Sequence, residues 1–339
     1  MTIKYIHPVK ANSAEGLVAQ VYAQIKRDFG SLVEPFTLHS PSPKLLAGVW
    51  MACRETELAG NVRRDIKEAI AATVSKINQC PYCVDAHTIM LNATGKRNVA
   101  RLISNENYDQ ISDSEVREIV KWASATRSTG FEILLSPPFS RQDAPEIIGT
   151  TVFFHYLNRM VNVLLSETPL PSNSSWLKNT LKLMAGLFFS RAARRHKSLG
   201  DSLKFLPEAD LPADLNWAKT NPTIAGAFAK FAAVIEEVGA YALSAEVRAY
   251  VQERVQGWNG ETLGLNKQWV EQAISGFNDA SKAAGRLALL TALASYQVDE
   301  GIVLAFRGHF PEDDKLLGTL AWASFTAARR IGSWFHVPK

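Results

Sequence analysis

Two cysteines, a histidine and a glutamate are the residues whose types and spacing indicate chemistry in this sequence. Cys80 and Cys83 are separated by two residues, and His87 follows after three more. Glu68 precedes Cys80 with eleven residues between them. On an α-helix, residues three and four apart share a face, so Cys80, Cys83 and His87 would form one stripe. In that arrangement the two sulfurs can meet and the imidazole can reach them.

The same local pattern gives two different indications of which cysteine is the nucleophile. Pro81 suits the first turn of a helix, which places Cys80 at the amino-terminal end, where the macrodipole favours a thiolate and lowers the pKa. His87 lies one turn beyond Cys83 and could take its proton, while Glu68 on the preceding helix could orient the imidazole. The dipole argument therefore favours Cys80, and the histidine argument favours Cys83.

The elements that must position these residues are predicted to be helices. Apolar residues recur at helical spacing along the sequence, as in the stripe Leu17, Val21 and Ile25, and clear alternating strand patterns are absent. Ser42-Pro43 can begin a helix, and Gly95 can end one. The sequence therefore predicts an all-α protein.

The overall composition is that of a globular protein. Of 339 residues, 47% are hydrophobic and 21% charged, and the formal net charge is +4. Because acidic residues are interleaved with basic ones and no long basic tail occurs, we expect no nucleic-acid partner. Nowhere do 18 consecutive apolar residues occur, and the start lacks the apolar core of a secretory signal, so we expect no membrane association and a cytoplasmic location. There the three cysteines would stay reduced unless a disulfide forms during a catalytic cycle.

A faint internal repeat divides the sequence near its middle. Residues 62–68 resemble 247–253, and residues 147–150 resemble 316–319. A polar segment with two prolines, 167–175, is typical of a linker between the halves. A duplicated helical domain is the simplest account of these matches.

The two predicted domains differ in their chemistry. Residues 1–168 would form the catalytic domain with the CxxC motif, and residues 176–339 would form a degenerate copy without the cysteines. Extending the first match without gaps identifies the residues opposite the two cysteines and the histidine as Leu265, Gln268 and Gln272. The second half is therefore predicted to be chemically silent.

The pattern Glu-x11-Cys-x2-Cys-x3-His resembles the core motif of AhpD-like alkyl hydroperoxidases in the carboxymuconolactone decarboxylase superfamily. The resemblance extends over residues 42–165 and implies an AhpD-like helical bundle, with the second half as a fused, inactive copy. It also implies that Cys80, Cys83, Glu68 and His87 are the active-site residues and that neither a metal nor an organic cofactor is required.

The resemblance further implies a thiol-dependent peroxidase with an antioxidant function. Cys83 would attack a peroxide oxygen and become a sulfenic acid, which Cys80 would resolve into a disulfide. An external dithiol, from a lipoyl protein or a thioredoxin-like protein, would restore both thiols. Small organic hydroperoxides are the expected substrates, and a homo-oligomer is the expected assembly.

AhpD itself has a further histidine immediately before the second cysteine. Tyr82 stands there in this sequence, and we expect it to shape the substrate pocket or to pack between helices.

Other interpretations of the same residues remain open. The cysteine pair could be accidental core filling. The two cysteines and His87, with Glu68 as a fourth ligand, could bind zinc, although structural zinc usually draws on separated ligand pairs. Decarboxylase-like acid–base chemistry would not need the cysteines, and a redox-sensing scaffold would use the disulfide to change binding rather than to turn over peroxide. Haem attachment requires a histidine directly after Cys83, where Val84 stands.

Three further sets of residues are candidates for function, and each has a plainer interpretation. Cys53 lies on an apolar stripe and is expected to be a buried bystander. On an aromatic-rich helix, His155, Asn158 and Arg159 could close a pocket over the cysteines, but a core or interface role is favoured. The basic cluster from Arg191 to Lys197 is expected to be the solvated face of a helix rather than a site for a membrane or an acidic partner.

Overall fold

The computed structural model describes residues 3–166 and 197–338, and within these ranges all regular secondary structure is helical. The prediction of an all-α protein is therefore confirmed. The linker at 167–175 and residues 191–196 of the basic cluster lie outside the described residues. Lys197 is described and is only 7% exposed, so the interpretation as a solvated helix face is wrong for this residue.

Fifteen α-helices are present in the described part of the chain. Those in residues 3–166 are α1 (Gly16–Phe29), α2 (Glu34–Thr37), α3 (Pro43–Cys53), α4 (Arg64–Ile77), α5 (Pro81–Ala93), α6 (Arg97–Ser104), α7 (Ser114–Ala125), α8 (Glu132–Leu135) and α9 (Ala144–Leu164). Those in residues 197–338 are α10 (Pro222–Ala242), α11 (Ala245–Gln256), α12 (Gln268–Ala273), α13 (Asp279–Ala294), α14 (Glu300–Arg307) and α15 (Asp313–Gly332). A π-helical turn, Arg54–Leu58, directly continues α3.

The helix boundaries follow the local signals of the sequence. Ser42 is the N-cap of α3 and Pro43 is its first residue, as predicted. Gly95, with a φ of 85°, lies just beyond the end of α5, where its lack of a side chain permits the left-handed conformation. Among the described helices, none combines the length and the apolar character needed to cross a membrane.

The long helices of both halves share one core. α9 packs against α4 and α15, α10 packs against α3 and α15, and hydrophobic residues from both parts of the chain belong to one contiguous cluster. Every residue of α9 except Asn162 is buried. A helix enclosed on all sides in this way can carry polar residues only where they find hydrogen-bond partners. The polar side chains of α9 therefore identify places where the core has a specific internal contact.

Two glycines mark where α9 and α15 cross an earlier helix of their own half. A Cβ on Gly149 would lie 2.5 Å from Cγ2 of Thr56 in the π-helical turn, and one on Gly318 would lie 2.8 Å from the carbonyl oxygen of Val238 in α10. Gly149 and Gly318 occupy the same position in the sequence repeat. Their similar packing is compatible with a tandem duplication, while the domain boundaries remain a prediction.

A buried carboxylate of α9 holds the start of α4. Glu146 accepts hydrogen bonds from the backbone amides of Asn61 at 2.8 Å and Val62 at 3.0 Å, and its Oε2 lies 2.5 Å from Nζ of Lys67. Gly60 has a φ of 100°, and a Cβ there would lie 2.4 Å from the carboxylate, so a side chain is excluded at this position. These contacts fix α4 relative to α9, which is the pairing on which the predicted site depends.

Candidate active site

The corner between α4 and α5 presents the two cysteines. α4 ends at Ile77, and Gln79 adopts a left-handed conformation with a φ of 53°, which costs a residue with a side chain roughly 1–2 kcal/mol. The amide of Cys80 donates to the carbonyl of Ser75 at 3.0 Å. Cys80 is the N-cap of α5 and Pro81 is its first residue, as the sequence predicts. Backbone conformations of this kind concentrate at functional sites.

The two sulfurs lie side by side as free thiols. The Cys80 thiol donates to the sulfur of Cys83 across 2.8 Å, whereas the atoms of a disulfide are about 2.05 Å apart. Cys80 is 1% exposed and Cys83 is 2% exposed. A small change in side-chain position would therefore suffice to join them, and the surrounding protein excludes bulk water from both.

The two thiols differ in acidity. Burial raises the pKa of Cys83, but the hydrogen bond from Cys80, the positive charge of His87 and hydrogen bonds from Asn158 and Ser75 outweigh it, so that this pKa lies below its ordinary value. Burial raises the pKa of Cys80 well above its ordinary value, and the neighbouring Cys83 acts in the same direction. The helix-dipole argument for Cys80 therefore identifies the wrong thiol, because burial and the adjacent sulfur outweigh the favourable helix terminus. Cys83 is the more acidic of the pair.

Side chains from α9, from α4 and its C-cap, and from the C-cap of α7 form a hydrogen-bonded floor beneath the cysteines. Asn158 bonds to both sulfurs, its Nδ2 donates to Oγ of Ser75 at 3.0 Å, and its Oδ1 accepts from Nδ2 of Asn78 at 3.0 Å. Asn78 Nδ2 also contacts Nδ1 of His155, whose Nε2 contacts Oγ1 of Thr126, each at 3.0 Å. Burial lowers the pKa of His155 well below its ordinary value, so this histidine is a neutral core residue. Of the candidates on α9, only Asn158 reaches the cysteines.

Two further polar residues of α9 connect the corner to the second half of the chain. Nε of Arg159 donates to the carbonyl of Ala292 at 2.8 Å, near the carboxyl end of α13, where a cation is favoured by the helix dipole. Nδ2 of Asn162 donates to the carbonyl of Asn78 at 3.2 Å and lies 3.1 Å from Oγ of Ser295. Arg159 therefore has the buried core role that the sequence favours.

His87 and Glu68 form a charged pair beside the cysteines. Nδ1 of His87 lies 2.7 Å from Oε2 of Glu68, and Phe154 packs edge-on against the imidazole with ring centroids 4.5 Å apart. Arg64 donates to Oε1 of Glu68 from Nε at 2.8 Å and from Nη2 at 2.5 Å. Burial lowers the pKa of His87, but the hydrogen bond and charge of Glu68 outweigh it and raise that pKa. Burial raises the pKa of Glu68, but Arg64 and His87 outweigh it and lower that pKa. Both shifts favour an imidazolium–carboxylate pair.

A second carboxylate, Glu57, joins this group, although no sequence pattern indicated it. Its Oε1 lies 3.3 Å from Nη2 of Arg64 and 4.0 Å from Nδ1 of His87. The thiol of Cys53 donates to its Oε2 at 3.3 Å, so Cys53 is buried as predicted but touches a charged group. Glu57 lies on the π-helical turn, a distortion that no sequence pattern announces and that is frequent at functional sites. The i, i+4 spacing of Arg64 and Glu68 could have identified the arginine.

The described residues bring together one set of potential metal ligands, and it is not the set considered from the sequence. Ligand atoms of Glu57, Glu68 and His87 all lie within 4.8 Å of one another, and neither cysteine of the CxxC pair belongs to this group. The guanidinium of Arg64 bonds to both carboxylates and already supplies a positive charge between them. The ligand atoms of Glu57 and Glu68 are therefore already engaged in ion pairs within the protein.

Tyr82 packs between helices and hydrogen-bonds to α2. It is 5% exposed, and its hydroxyl donates to Oε2 of Glu34 on α2 at 3.1 Å. Burial, followed by the Glu34 carboxylate, raises the pKa of Tyr82 strongly, so the phenol stays protonated and cannot serve as a base near neutral pH. A contribution of Tyr82 to substrate binding remains a prediction.

Comparison with known proteins gives a match along nearly the whole chain. No family model matches the sequence. A curated protein of Mycobacterium tuberculosis, named alkyl hydroperoxide reductase, is 39% identical over 332 residues, which are 98% of this chain and 94% of that protein. The similarity therefore includes both halves and is not confined to the CxxC motif.

Proposed function

Because the chain belongs to the family of AhpD-like alkyl hydroperoxide reductases, we propose that it is a thiol peroxidase that reduces small organic hydroperoxides through Cys80 and Cys83. The observation that carries the proposal is the buried dithiol, whose sulfurs are 2.8 Å apart and of which Cys83 has a lowered pKa. A pair arranged in this way combines a nucleophile with a second thiol that is placed to resolve it. The adjacent His87 supplies the acid that such a reaction needs.

In the first step, the Cys83 thiolate attacks the terminal oxygen of the hydroperoxide. An S–O bond forms, the O–O bond breaks, and the alkoxide that leaves takes a proton from the imidazolium of His87. Cys83 is thereby oxidised to a sulfenic acid, and the hydroperoxide is reduced to an alcohol. Glu68 stabilises the imidazolium before the transfer and holds the ring in one orientation, since it bonds Nδ1 and leaves Nε2 as the other proton-carrying atom.

In the second step, the Cys80 thiol attacks the sulfenic sulfur of Cys83. An S–S bond forms, the S–O bond breaks, and the hydroxyl leaves as water with the thiol proton of Cys80. An external dithiol then reduces the disulfide by exchange, and a lipoyl or thioredoxin-like protein is the partner we propose. His87 is 12% exposed, so a proton can return to it when the disulfide is reduced.

The fixed surroundings of the pair explain how a buried thiolate can exist. Asn158 and the Cys80 thiol donate hydrogen bonds to the Cys83 sulfur, and His87 contributes a nearby positive charge. Each of these compensates part of the cost of burying the anion, which would otherwise protonate. Loss of any one should therefore decrease the thiolate fraction rather than abolish the fold.

The test is rapid mixing of the reduced protein with cumene hydroperoxide, followed by mass spectrometry. We expect a stoichiometric Cys80–Cys83 disulfide in the wild type that dihydrolipoamide reverses. Cys80→Ser should stop at a sulfenic acid on Cys83, trapped by dimedone, whereas Cys83→Ser should give neither product. Each serine variant serves as the matched control for the other. If both thiols stay reduced in the folded wild type, the peroxidase proposal is wrong, and a disulfide that forms without repeated turnover would favour a redox sensor instead.

A further inference from the structure

The charged side chains beside the cysteines form a buried cluster with two carboxylates but only one guanidinium to balance them. This relay cluster comprises Glu57, Arg64, Glu68 and His87, of which both carboxylates are buried and the other two side chains are 14% and 12% exposed. Two carboxylates and one guanidinium leave a net charge of −1 when the imidazole is neutral. One additional proton makes the cluster neutral. Because an uncompensated buried charge is costly, the cluster should hold that proton in every state of the enzyme.

The two carboxylates of the cluster have unequal partners. Glu68 accepts two hydrogen bonds from Arg64 and one contact from His87, at 2.5 to 2.8 Å. Glu57 has only the single, longer contact of 3.3 Å from Arg64 and the weak donor Cys53. The other charged groups that face it are the Glu68 carboxylate within 4.8 Å, His87 at 4.0 Å and Lys67, whose ammonium is paired with Glu146. Protonation therefore costs less free energy at Glu57 than at Glu68.

We propose that Glu57 takes up a proton when Cys80 and Cys83 become a disulfide, and so keeps the relay cluster neutral after His87 has given its proton to the product. This inference rests on the proposed function. It makes Glu57 a positioning residue, since it acts through His87 and touches neither substrate nor sulfur of the reactive pair. Burial raises the pKa of Glu57 despite the neighbouring Arg64, in agreement with this role.

The proton count of the cycle follows from this assignment. In the reduced enzyme, one proton is on the Cys80 thiol and one is on His87, opposite the Cys83 thiolate. Oxidation consumes both together with the hydroperoxide and gives the disulfide, an alcohol and water, while one solvent proton binds to Glu57. Reduction of the disulfide by two electrons therefore takes up one net proton. Without the Glu57 carboxylate, the cluster of Arg64 and Glu68 is neutral beside a neutral imidazole, and reduction would take up two.

The experiment is an anaerobic redox titration of the full-length protein in lipoamide–dihydrolipoamide buffers at several pH values. The disulfide fraction is read by alkylation and mass spectrometry, after correction for the protons of the buffer couple. We expect the dithiol–disulfide equilibrium constant to change about tenfold per pH unit in the wild type and about a hundredfold in Glu57→Gln, as proton linkage requires. Glu55→Gln is the matched control, because Glu55 is a buried carboxylate on the same π-helical turn but pairs with Arg54 and Ser202 outside the cluster. It should retain the wild-type slope.

The outcomes separate this inference from the proposed function. If the disulfide forms but Glu57→Gln and the wild type have the same slope, the inference is wrong and the peroxidase proposal stands. If no disulfide forms in any buffer, both fail. Should Glu57→Gln not fold, infrared difference spectra of the wild type decide the matter. Oxidised-minus-reduced spectra must then contain the carbonyl band of a protonated carboxylic acid, and its absence would overturn the assignment.

Discussion

Replacement of Glu68 by glutamine tests the central electrostatic contact of the site. Glu68 is fully buried and receives charge-assisted hydrogen bonds from Arg64 and His87. Glutamine keeps the size and one acceptor oxygen but replaces the other oxygen by a donor amide, which then faces either a guanidinium or an imidazole that also donates. The variant therefore removes the negative charge and the hydrogen bond to either Arg64 or His87, with little change in packing.

The magnitude follows from the contact that is lost. A hydrogen bond to a charged group contributes about 1.5–3 kcal/mol, and one unit of pKa corresponds to about 1.36 kcal/mol. We therefore expect the pKa of His87 to fall by about 1–2 units in Glu68→Gln. Because His87 both stabilises the Cys83 thiolate and protonates the leaving alkoxide, the second-order rate constant with cumene hydroperoxide should fall about 10- to 100-fold near neutral pH.

Stability should change in a defined pH window. The pKa of Glu68 is lowered in the folded protein, so its contribution is present above the unfolded value and is lost as the pH falls through the folded pKa. The pKa of His87 is raised, so its contribution is complete below the unfolded value and is lost as the pH rises through the folded pKa. The free energy of unfolding should therefore differ most between wild type and Glu68→Gln from about pH 4.3 to about pH 6.5.

Stopped-flow measurement of peroxide reduction over a range of pH checks the expected change in rate constant. Urea unfolding over the same range checks the expected change in the free energy of unfolding. Glu55→Gln is the matched control, since it removes a buried carboxylate that pairs with Arg54 and Ser202 rather than with Arg64 or His87. The control should lose stability but keep the wild-type pH–rate profile. If Glu68→Gln loses stability to the same extent and its profile is also unchanged, Glu68 has only a structural role and the relay argument is refuted.

Two further variants test the floor of the site and the packing of the core. Asn158→Ala removes a donor to the Cys83 sulfur, so the pH midpoint of alkylation by iodoacetamide should rise, and an unchanged midpoint would contradict the role assigned to this amide. Gly239→Ala would place a Cβ 2.2 Å from Cδ1 of Trp322, and such overpacking should lower the free energy of unfolding by about 1–3 kcal/mol in urea titrations. Gly276→Ala, which meets no atom within 4 Å, is its control and should stay near the wild type.

The residues that the sequence could identify are those related by local geometry. The stripe of Cys80, Cys83 and His87 depends only on helical periodicity, and Pro81 defines where that helix begins. Both features therefore follow from a short segment of chain. The contact of Glu68 with His87 needed one additional assumption, which was that the two helices are adjacent in space.

Two residues reach the site only through tertiary packing: Asn158, a sequence candidate for which a core or interface role was favoured, and Glu57, which no sequence pattern indicated. Asn158 is remote in sequence from the cysteines and meets them only because α9 packs against α4. Glu57 points inward because the end of α3 widens into a π-helical turn, for which local propensity gives no signal. The helix-dipole argument that Cys80 is the more acidic thiol was wrong for the same reason. A helix terminus changes a pKa modestly, whereas burial and neighbouring charges depend on the whole fold.

The second half of the chain lacks the cysteines, yet it braces the corner that carries them. Asn162 bonds both to the Asn78 carbonyl at the end of α4 and to Ser295 after α13, and Arg159 bonds to Ala292 at the end of the same helix. These contacts lie on α9, the helix that also provides Asn158 to the two sulfurs. A displacement of α13 would therefore move the donor that helps to hold Cys83 as a thiolate. This connection gives a physical reason why similarity to a relative should extend along both halves, although chemistry is predicted for only one of them.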